Sequence, residues 1–182
     1  TAAVYGILEE QPATEKTDTA PINAYGRSKL MTEWMMQDLA ERPDIDDKFH
    51  FIALRYFNVA GARPDLSIGQ ATPEATHLVK VACQAALGLR DSVSIFGTDY
   101  PTPDGTGIRD YIHIEDLASA HLSALNYFRQ GGDSTIMNCG YGQGYSVREV
   151  MQMVKKVSGV DFNIIESPRR AGQPPDSIAG ND

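Results

Sequence analysis

Tyr25 and Lys29 are the residues of this chain whose types and spacing most directly predict chemistry. They lie four positions apart in the segment 24–29, Ala-Tyr-Gly-Arg-Ser-Lys, so on a helix both side chains would share one face. An ammonium held close to a phenol favours the ionised phenolate. The pair therefore predicts a base that removes the proton of an alcohol, although the same spacing also arises on solvated helix faces without any catalytic role.

The helix that must hold this pair is predicted over residues 23–42. Asn23 is suited to cap its start and Pro43 to end it. Its apolar residues recur at helical spacing and are expected to form a buried stripe. They are Leu30, Trp34, Met35 and Leu39. Residues 1–6, which are mostly small and apolar, are predicted to be the end of a buried strand.

Hydrophobic periodicity and turn residues predict the remaining elements. Strands are expected at 49–56, 93–96, 109–114, 136–139 and 162–166, and helices at 76–89, 117–128 and 146–158. Asp116 is expected to cap the second of these helices, and Ser146 with Glu149 to form a capping box for the third. An acidic linker is expected at 44–48, and a domain boundary after Gly61, where a loop containing Pro and Gly begins.

Composition excludes several classes of function. A net charge of −8 and a pI near 4.9 argue against nucleic acid or an anionic membrane as partner. No apolar run is long enough to span a membrane. The two cysteines, Cys83 and Cys139, are far apart and typical of a reducing cytoplasm. The four histidines form no ligand pattern, so no metal site is predicted.

Three further segments, 1–6, 55–62 and 95–113, accompany the Tyr-x-x-x-Lys pair in the same order along the chain. Together the four resemble the extended short-chain dehydrogenase/reductase superfamily, and most closely its UDP-glucose 4-epimerase family. The resemblance implies an α/β fold. Residues 1–61 would be the latter part of a Rossmann-type NAD(P)-binding domain that carries the catalytic helix. Residues 62–182 would be a smaller mixed α/β domain that binds the UDP-sugar and is incomplete at its C-terminus.

The glycine-rich turn that begins a dinucleotide-binding domain does not occur in the sequence. We therefore expect the N-terminal half of the cofactor site to lie outside this chain, and the isolated chain to be inactive. The glycines of residues 140–144 do not replace it, because they have neither the dinucleotide spacing nor the Lys-Ser/Thr of a phosphate loop. In the epimerase family similar turns are structural.

The resemblance implies NAD as cofactor and inversion at C4 of UDP-glucose or UDP-galactose through a transient 4-keto sugar. Tyr25 would be the base, and Lys29 would hold it ionised and bond the ribose of the cofactor. The hydroxyl of Thr1 would hydrogen-bond the reacting sugar oxygen. Thr1, Tyr25, Lys29 and Phe57 would together contact the cofactor, with Phe57 beside the nicotinamide.

The resemblance also implies the contacts to the UDP-sugar. They are Asn58, His77, Leu78, Ser94, Ile95, Phe96, Arg109, Arg170 and Ser177. Asn58, Arg109 and Arg170 would bond the diphosphate, Leu78 would contribute its backbone, and 94–96 would border the uracil. A guanidinium fork suits a diphosphate. By residue type alone, Asn58 is equally well a turn residue and each arginine a member of a surface ion pair.

Three positions depart from the family pattern or vary within it. The family often has Asn where His77 stands and an acid where Gln173 stands, so those contacts are weakened. Ser177 falls where family members carry either a bulky or a small residue. A small residue leaves room for an N-acetyl group, so UDP-N-acetylhexosamines are expected as additional substrates.

Alternatives stay open at this point. A nucleotide-sugar 4,6-dehydratase would carry an acidic pair where Ala2 and Ala3 stand. A non-catalytic UDP-sugar-binding fragment is the alternative from another class. The apolar stripe of the catalytic helix is either core or the interface of a homodimer, which the superfamily tends to form through this helix.

Overall fold

The computed structural model describes residues 1–43 and 49–180. Within these residues the helices are α1 (Ala24–Ala40), α2 (Leu78–Ala86), α3 (Ile114–Arg129) and α4 (Val147–Ser158). The strands are β1 (Ile52–Tyr56), β2 (Asn58–Ala60), β3 (Ser92–Phe96), β4 (Ile108–His113), β5 (Thr135–Cys139), β6 (Gly144–Ser146), β7 (Asn163–Ser167) and β8 (Asp176–Ser177). Helices alternate with strands along much of the chain, as expected of an α/β protein.

Most strand pairs are parallel. β1 pairs with β5, β2 with β4, β3 with β7, and β8 with β4, all in parallel, whereas β6 runs antiparallel to β4. Tyr56 lies opposite Cys139, and Ala60 lies opposite His113. Because β5 pairs with β1, the sheet joins residues on both sides of the boundary predicted after Gly61.

Two apolar clusters support the parts of the chain where ligand contacts are predicted. The first lies beneath α1 and contains Ala2, Val4, Tyr5, Ala13, Leu30, Phe57 and Ala179. The second packs α2 and α4 over β3 and β7 and contains Ala82, Ala85, Val93, Ile95, Met151 and Phe162. The Tyr25–Lys29 helix and strand β3 thus rest on separate clusters.

The buried face of α1 differs from the predicted stripe. Leu30 is buried, but Trp34 is 53% exposed and Met35 68% exposed. Gly26 and Glu33 share the inner face with Leu30 instead. The prediction was wrong for Trp34 and Met35 because contacts with distant parts of the chain decide which face is buried. One of these contacts is a buried arginine that donates hydrogen bonds to the Glu33 carboxylate.

Three boundaries also differ from the sequence prediction. Residues Ala2–Val4 form a short 3₁₀ helix rather than a strand end, and the Thr1 side chain caps it. α3 begins directly after β4, so His113 caps it and Asp116 lies inside its first turn. α2 spans nine residues and ends at Ala86, before the predicted 89. The 3₁₀ helix packs against α1, the His113 side chain accepts from Glu115 N at the start of α3, and Leu87 N donates to Cys83 O at the end of α2.

Local capping chemistry is as predicted elsewhere. Ser146 and Glu149 form the capping box of α4, and Gly159 ends that helix with φ of 70°. The predicted acidic linker, 44–48, lies outside the described residues. None of the described helices is long and apolar enough to cross a membrane. Residues 1–43 and 49–180 bring together no group of three or more His, Cys, Asp or Glu that could hold a metal ion.

Candidate functional site

Tyr25 and Lys29 lie side by side at the start of α1. The Lys29 Nζ is 5.8 Å from the centroid of the Tyr25 ring. Both side chains are exposed, Tyr25 by 53%. The side-chain oxygen of Asn23 accepts from Gly26 N at 2.8 Å and fixes the first turn. The structure therefore brings the predicted base and its ammonium together on an accessible helical face.

Gly26 sets how closely this turn approaches the segment that begins with Thr1. A Cβ at Gly26 would lie 2.4 Å from Ala3 O and 2.9 Å from the Pro21 Cβ, so no larger residue fits without movement. Thr1 caps the 3₁₀ helix by accepting from Ala3 N at 3.4 Å. A hydroxyl that accepts a bond can also donate one. The glycine inside the Tyr-x-x-x-Lys segment thus brings Thr1 into the neighbourhood of the pair.

Phe57 and Asn58 follow β1 at its carboxyl end. Phe57 is buried in the first apolar cluster, beside Tyr5 and Leu30. Asn58 is exposed at the start of β2 and lies opposite Tyr111 of β4. Ligands of parallel sheets bind at the carboxyl ends of strands, and this is where the structure places Asn58.

A buried ion pair lies behind the exposed pair and was missed by the sequence analysis. Arg55 Nη2 donates to Glu33 Oε2 at 2.6 Å, and Arg55 Nε donates to both carboxylate oxygens at 3.1 and 3.3 Å. The guanidinium also lies 4.8 Å from the centroid of the Tyr5 ring. Tyr5 donates to Asn138 Oδ1 at 2.7 Å, and burial raises the pKa of its phenol. An arginine inside an apolar strand was the available signal.

Arg109 is held by carbonyl groups of its own chain. Its Nη1 donates to Ile108 O at 2.7 Å and to Pro175 O at 3.2 Å, and its Nη2 donates to Pro174 O at 2.8 Å. Burial lowers the pKa of Arg109. Among the described residues no carboxylate forms an ion pair with it. Its guanidinium is therefore fixed in place without a direct ion pair in the described part of the chain, while the Asp176 carboxylate attracts it from a greater distance.

The two consecutive arginines after β7 behave differently. The Arg170 guanidinium lies over the Phe96 ring, 3.7 Å from its centroid. Arg169 donates its Nε to Asp99 Oδ1 at 2.6 Å and lies over the Tyr100 ring at 4.2 Å. This bond lowers the pKa of the Asp99 carboxyl. Of the two, Arg169 is paired with an acid, whereas Arg170 rests on the aromatic ring predicted to face the base.

The other predicted substrate contacts fall around β3, α2 and β8. Ile95 is fully buried, so its side chain faces the second apolar cluster, while Ser94 and Phe96 are half-buried. His77 is exposed as the residue before α2, and Leu78 begins that helix. Ser177 lies opposite Arg109 in the β4–β8 pair. Ser177 thus lies beside one of the two arginines predicted to bind the diphosphate.

The glycine cluster after β5 is organised by a buried carboxylate. Asp110 is fully buried and accepts from Tyr141 N at 2.9 Å, Gly142 N at 2.9 Å and Ala179 N at 3.2 Å. These amides are engaged within the chain. The turn therefore links β4 to the segment at 178–180, as a structural turn does.

Comparison with known proteins identifies close relatives. The chain is 56% identical over all 182 residues to the UDP-glucose 4-epimerase of Azospirillum brasilense, covering 51% of that protein. It is similar to a UDP-glucose 4-epimerase of Stenotrophomonas maltophila solved with NAD and formylated UDP-arabinopyranose, with 40% identity, a TM-score of 0.91 and coverage of 98% of this chain and 53% of that one. The UDP-Glc/GlcNAc 4-epimerase of Campylobacter jejuni shows 50% identity and a TM-score of 0.73, with 98% and 53% coverage.

The chain spans about half the length of the curated relatives it matches, 51% to 54% in three of them. Its α/β arrangement is that of the matching half of these Rossmann-type proteins. Residues 1–140, which include the Tyr25–Lys29 pair and strands β1, β4 and β5, match the model of one family. The chain belongs to the NAD dependent epimerase/dehydratase family.

Proposed function

We propose that this chain carries the catalytic pair and the sugar-nucleotide site of a UDP-glucose 4-epimerase. The reaction interconverts UDP-glucose and UDP-galactose through a transient 4-keto sugar with tightly bound NAD. The observation that carries the proposal is the exposed Tyr25–Lys29 pair, with 5.8 Å between the ammonium and the ring centroid, packed beside the Thr1 segment. The identity to UDP-glucose 4-epimerases supports the substrate.

The proton follows a single route in this proposal. The Tyr25 phenolate accepts the proton of the sugar 4-hydroxyl, and the Lys29 ammonium stabilises the phenolate. The Thr1 hydroxyl donates a hydrogen bond to the same sugar oxygen. Tyr25 returns the proton to that oxygen when C4 is reduced again, so the residues end in their starting state. NAD, when bound, supplies the oxidising and reducing chemistry at C4.

The residues present fit such a cofactor. Ribose hydroxyls need donors and acceptors, and the Tyr25 phenol with the Lys29 ammonium offers both on one exposed face. Thr1, Tyr25 and Lys29 would hold the ribose and nicotinamide end, and Phe57 would support it from the first apolar cluster. The carboxyl end of β1 is a favourable place for this arrangement.

The nucleotide would be bound more tightly than the sugar, because the keto sugar must rotate in the pocket between the two half-reactions. Asn58, Arg109 and Arg170 would bind the diphosphate, and residues 94–96 with the 77–78 corner would border the base. The diphosphate role of Arg109 is supported by its place opposite Ser177 and by the absence of an ion-pair partner for it among the described residues. A pocket that fixes UDP and leaves the hexose loosely held permits inversion at C4.

Two finer assignments belong to the same proposal. Residues 1–61 would complete a dinucleotide-binding domain, and 62–182 would form the substrate domain of a cytoplasmic enzyme.

The exposed apolar residues Met31, Trp34 and Met35 on α1 support a homodimer that forms through this helix. Light scattering of the protein and of a Trp34→Glu variant tests the dimer. A monomeric parent protein would contradict it.

Ser177 supports a broader substrate range that includes UDP-N-acetylhexosamines. Its small side chain lies next to Arg109 across β4 and β8, and the 50% identical Campylobacter jejuni protein is named for both UDP-Glc and UDP-GlcNAc. In a chimera that supplies the missing cofactor-binding half, the Ser177→Tyr variant is expected to keep turnover of UDP-glucose and to lose that of UDP-N-acetylglucosamine. Loss of both together would point to a different role for Ser177.

A chimera tests the main proposal. Residues 1–182 replace the matching half of the Azospirillum brasilense relative, and formation of UDP-galactose from UDP-glucose is followed. Tyr25→Phe is expected to lower kcat by roughly 100- to 10,000-fold, the usual range for a general acid–base group. Tyr127→Phe, at a half-exposed tyrosine of α3, is the matched control and should leave kcat unchanged.

The alternatives give different outcomes in the same assay. A 4,6-dehydratase would release a 4-keto-6-deoxy sugar nucleotide instead of UDP-galactose. A non-catalytic binding fragment would leave a chimera that binds UDP without turnover, and Tyr25→Phe would then change nothing. Either result rejects the epimerase proposal.

A further inference from the structure

The ion pair between Glu33 and Arg55 connects β1 to the two parts of the molecule that carry the candidate catalytic residues, α1 and the Thr1 segment. Glu33 is on α1, Arg55 is on β1, and Tyr5, under the guanidinium, ends the segment that begins at Thr1. Glu33 and Arg55 are 5% and 4% exposed. The described residues contain other ion pairs, all with at least one exposed partner.

The helix geometry puts Glu33 one turn beyond the reacting groups. Tyr25, Lys29 and Glu33 follow one another at intervals of four positions, so they lie along one side of α1. The carboxylate therefore fixes α1 one turn beyond Lys29, while Gly26 fixes it against Ala3 within the pair. Lys29 thus lies between two contacts that hold α1, the Gly26–Ala3 approach and the Glu33–Arg55 ion pair.

Stability alone does not account for an ion pair in this place. Replacing a buried ion pair by apolar residues of similar volume is often neutral or stabilising, because desolvation offsets the attraction between the charges. One donor of the guanidinium, Nη1, has no hydrogen-bond partner among the described residues, which further reduces the net gain. The planar guanidinium of Arg55 instead fixes the orientation of the pair, since its Nε and Nη2 can both donate to a carboxylate only within a narrow range of positions.

We propose that Glu33 and Arg55 are positioning residues for proton transfer, an inference that rests on the proposed epimerase function. The pair sets the distance from Tyr25 and Lys29 on α1 to Thr1, with Tyr5 clamping the guanidinium from the Thr1 side. Neither residue touches the sugar. A displacement of the reacting groups by about 1 Å costs roughly 100-fold in rate, so the effect falls on kcat.

The test is a double variant of the chimera, Glu33→Leu with Arg55→Met, which replaces the ion pair by apolar side chains. Its urea midpoint is expected to stay close to that of the unmodified chimera. We expect kcat to fall by roughly 100-fold, with KM for UDP-glucose unchanged. Arg148→Met, which breaks the more exposed pair with Glu166, is the matched control and should change neither kcat nor KM.

A single conservative variant makes the test independent of whether the double variant folds. Arg55→Lys keeps the charge opposite Glu33 but loses the fork, and it should lower kcat by about tenfold, the equivalent of one hydrogen bond. Met151→Ala, in the second apolar cluster, provides a destabilised protein in which the separate cluster beneath α1 is unchanged, so its kcat should stay the same.

The outcomes separate the inference from the function on which it rests. The inference is overturned if an active chimera keeps its kcat in both Glu33/Arg55 variants, if only KM changes, or if Met151→Ala lowers kcat equally. An unmodified chimera without turnover refutes the epimerase function, and the positioning role with it. A selective loss of kcat in the double variant, graded through Arg55→Lys, establishes the positioning role.

Discussion

The two halves of the candidate site are supported in opposite ways. Around Tyr25 and Lys29, the side chains proposed to react are exposed, and the contacts that hold their helix are the Gly26–Ala3 approach and the buried Glu33 ion pair. Around Arg109 and Arg170, the side chains proposed to bind the diphosphate already contact their own chain, one through backbone carbonyls and the other through the ring of Phe96.

Because of this difference, we expect one half of the site to control kcat and the other half to control the affinity for UDP. Groups that transfer a proton must already be in place when the substrate arrives. Groups that bind a diphosphate can exchange contacts with their own chain for contacts with the ligand, and the net gain is the difference between the two. We therefore expect substitutions around α1 to change kcat, and substitutions around β3 and β4 to change the Kd for UDP.

Lys29→Met in the chimera has the largest expected effect and tests the first half of this comparison. Removing the ammonium leaves the phenolate without its nearby positive charge. We expect kcat to fall by roughly 100- to 10,000-fold, while the Kd for UDP, measured by titration calorimetry, stays the same. Arg27→Met, at an exposed position of the same helix, is the control. Equal losses in the two variants would mean that general surface charge, rather than Lys29, is responsible.

Gly26→Ala tests whether the close approach to Ala3 positions the pair. The new methyl group would meet Ala3 O at 2.4 Å, and such overpacking typically costs about 1–3 kcal/mol. The gain in helix propensity of about 1 kcal/mol offsets part of it. We expect a lower free energy of unfolding in urea together with a lower kcat. Ser28→Ala, exposed in the same turn, should change neither, and an unchanged kcat in Gly26→Ala would remove this contact from the positioning scheme.

The sequence predicts the parts of the fold that depend on neighbouring residues. Asn23, Ser146 and Gly159 cap or end helices as expected because capping is decided within about four residues. The buried stripe of α1 was predicted wrongly for Trp34 and Met35. Glu33 lies on the inner face instead, where it pairs with Arg55, 22 positions away on β1. The short helix at Ala2–Val4 likewise depends on α1 packing over it, and small apolar residues suit a strand equally well.

The same distinction applies to the candidate site. The Tyr25–Lys29 pair follows from helical spacing and could be found by sequence alone. The contact of Arg109 with Pro174 joins residues 65 positions apart, and no local pattern contains it. Arg170 over Phe96 is equally non-local. Their roles toward UDP stay predictions that come from family resemblance.

Tyr111 lies between the two halves of the candidate site, opposite Asn58 and two positions after Arg109. Its burial leads us to expect a pH dependence of the free energy of unfolding. Burial raises the pKa of Tyr111 from 10.0 to about 12, although the nearby Arg109 charge acts in the other direction. The folded state therefore keeps its phenol protonated where the unfolded chain loses the proton. This contribution to stability is complete below about pH 10 and is lost as the pH rises through about 12, at about 1.4 kcal/mol per pH unit.

The measurement is urea unfolding of the protein and of its Tyr111→Phe variant at pH 9 and at pH 11.5, values chosen to bracket the unfolded titration near about 10. The parent should lose about 2 kcal/mol more than the variant over this interval. Tyr127→Phe, at a half-exposed position, serves as the control. Equal alkaline losses in the parent and the Tyr111→Phe variant would show that the phenol titrates as in the unfolded chain.

Arg170→Ala has the smallest expected effect and tests the second half of the comparison against its neighbour Arg169. A hydrogen bond to a charged group contributes about 1.5–3 kcal/mol, and release of Arg170 from the Phe96 ring costs about 0.5–1 kcal/mol at an exposed site. The difference, about 1–2 kcal/mol, corresponds to a Kd for UDP weakened by about tenfold. Arg169→Ala should leave the Kd unchanged, because that guanidinium is committed to Asp99 and Tyr100. Equal weakening by both variants would mean that the diphosphate senses the summed charge of the segment, and tighter binding in Arg170→Ala would mean that Arg170 blocks the base site instead of serving the diphosphate.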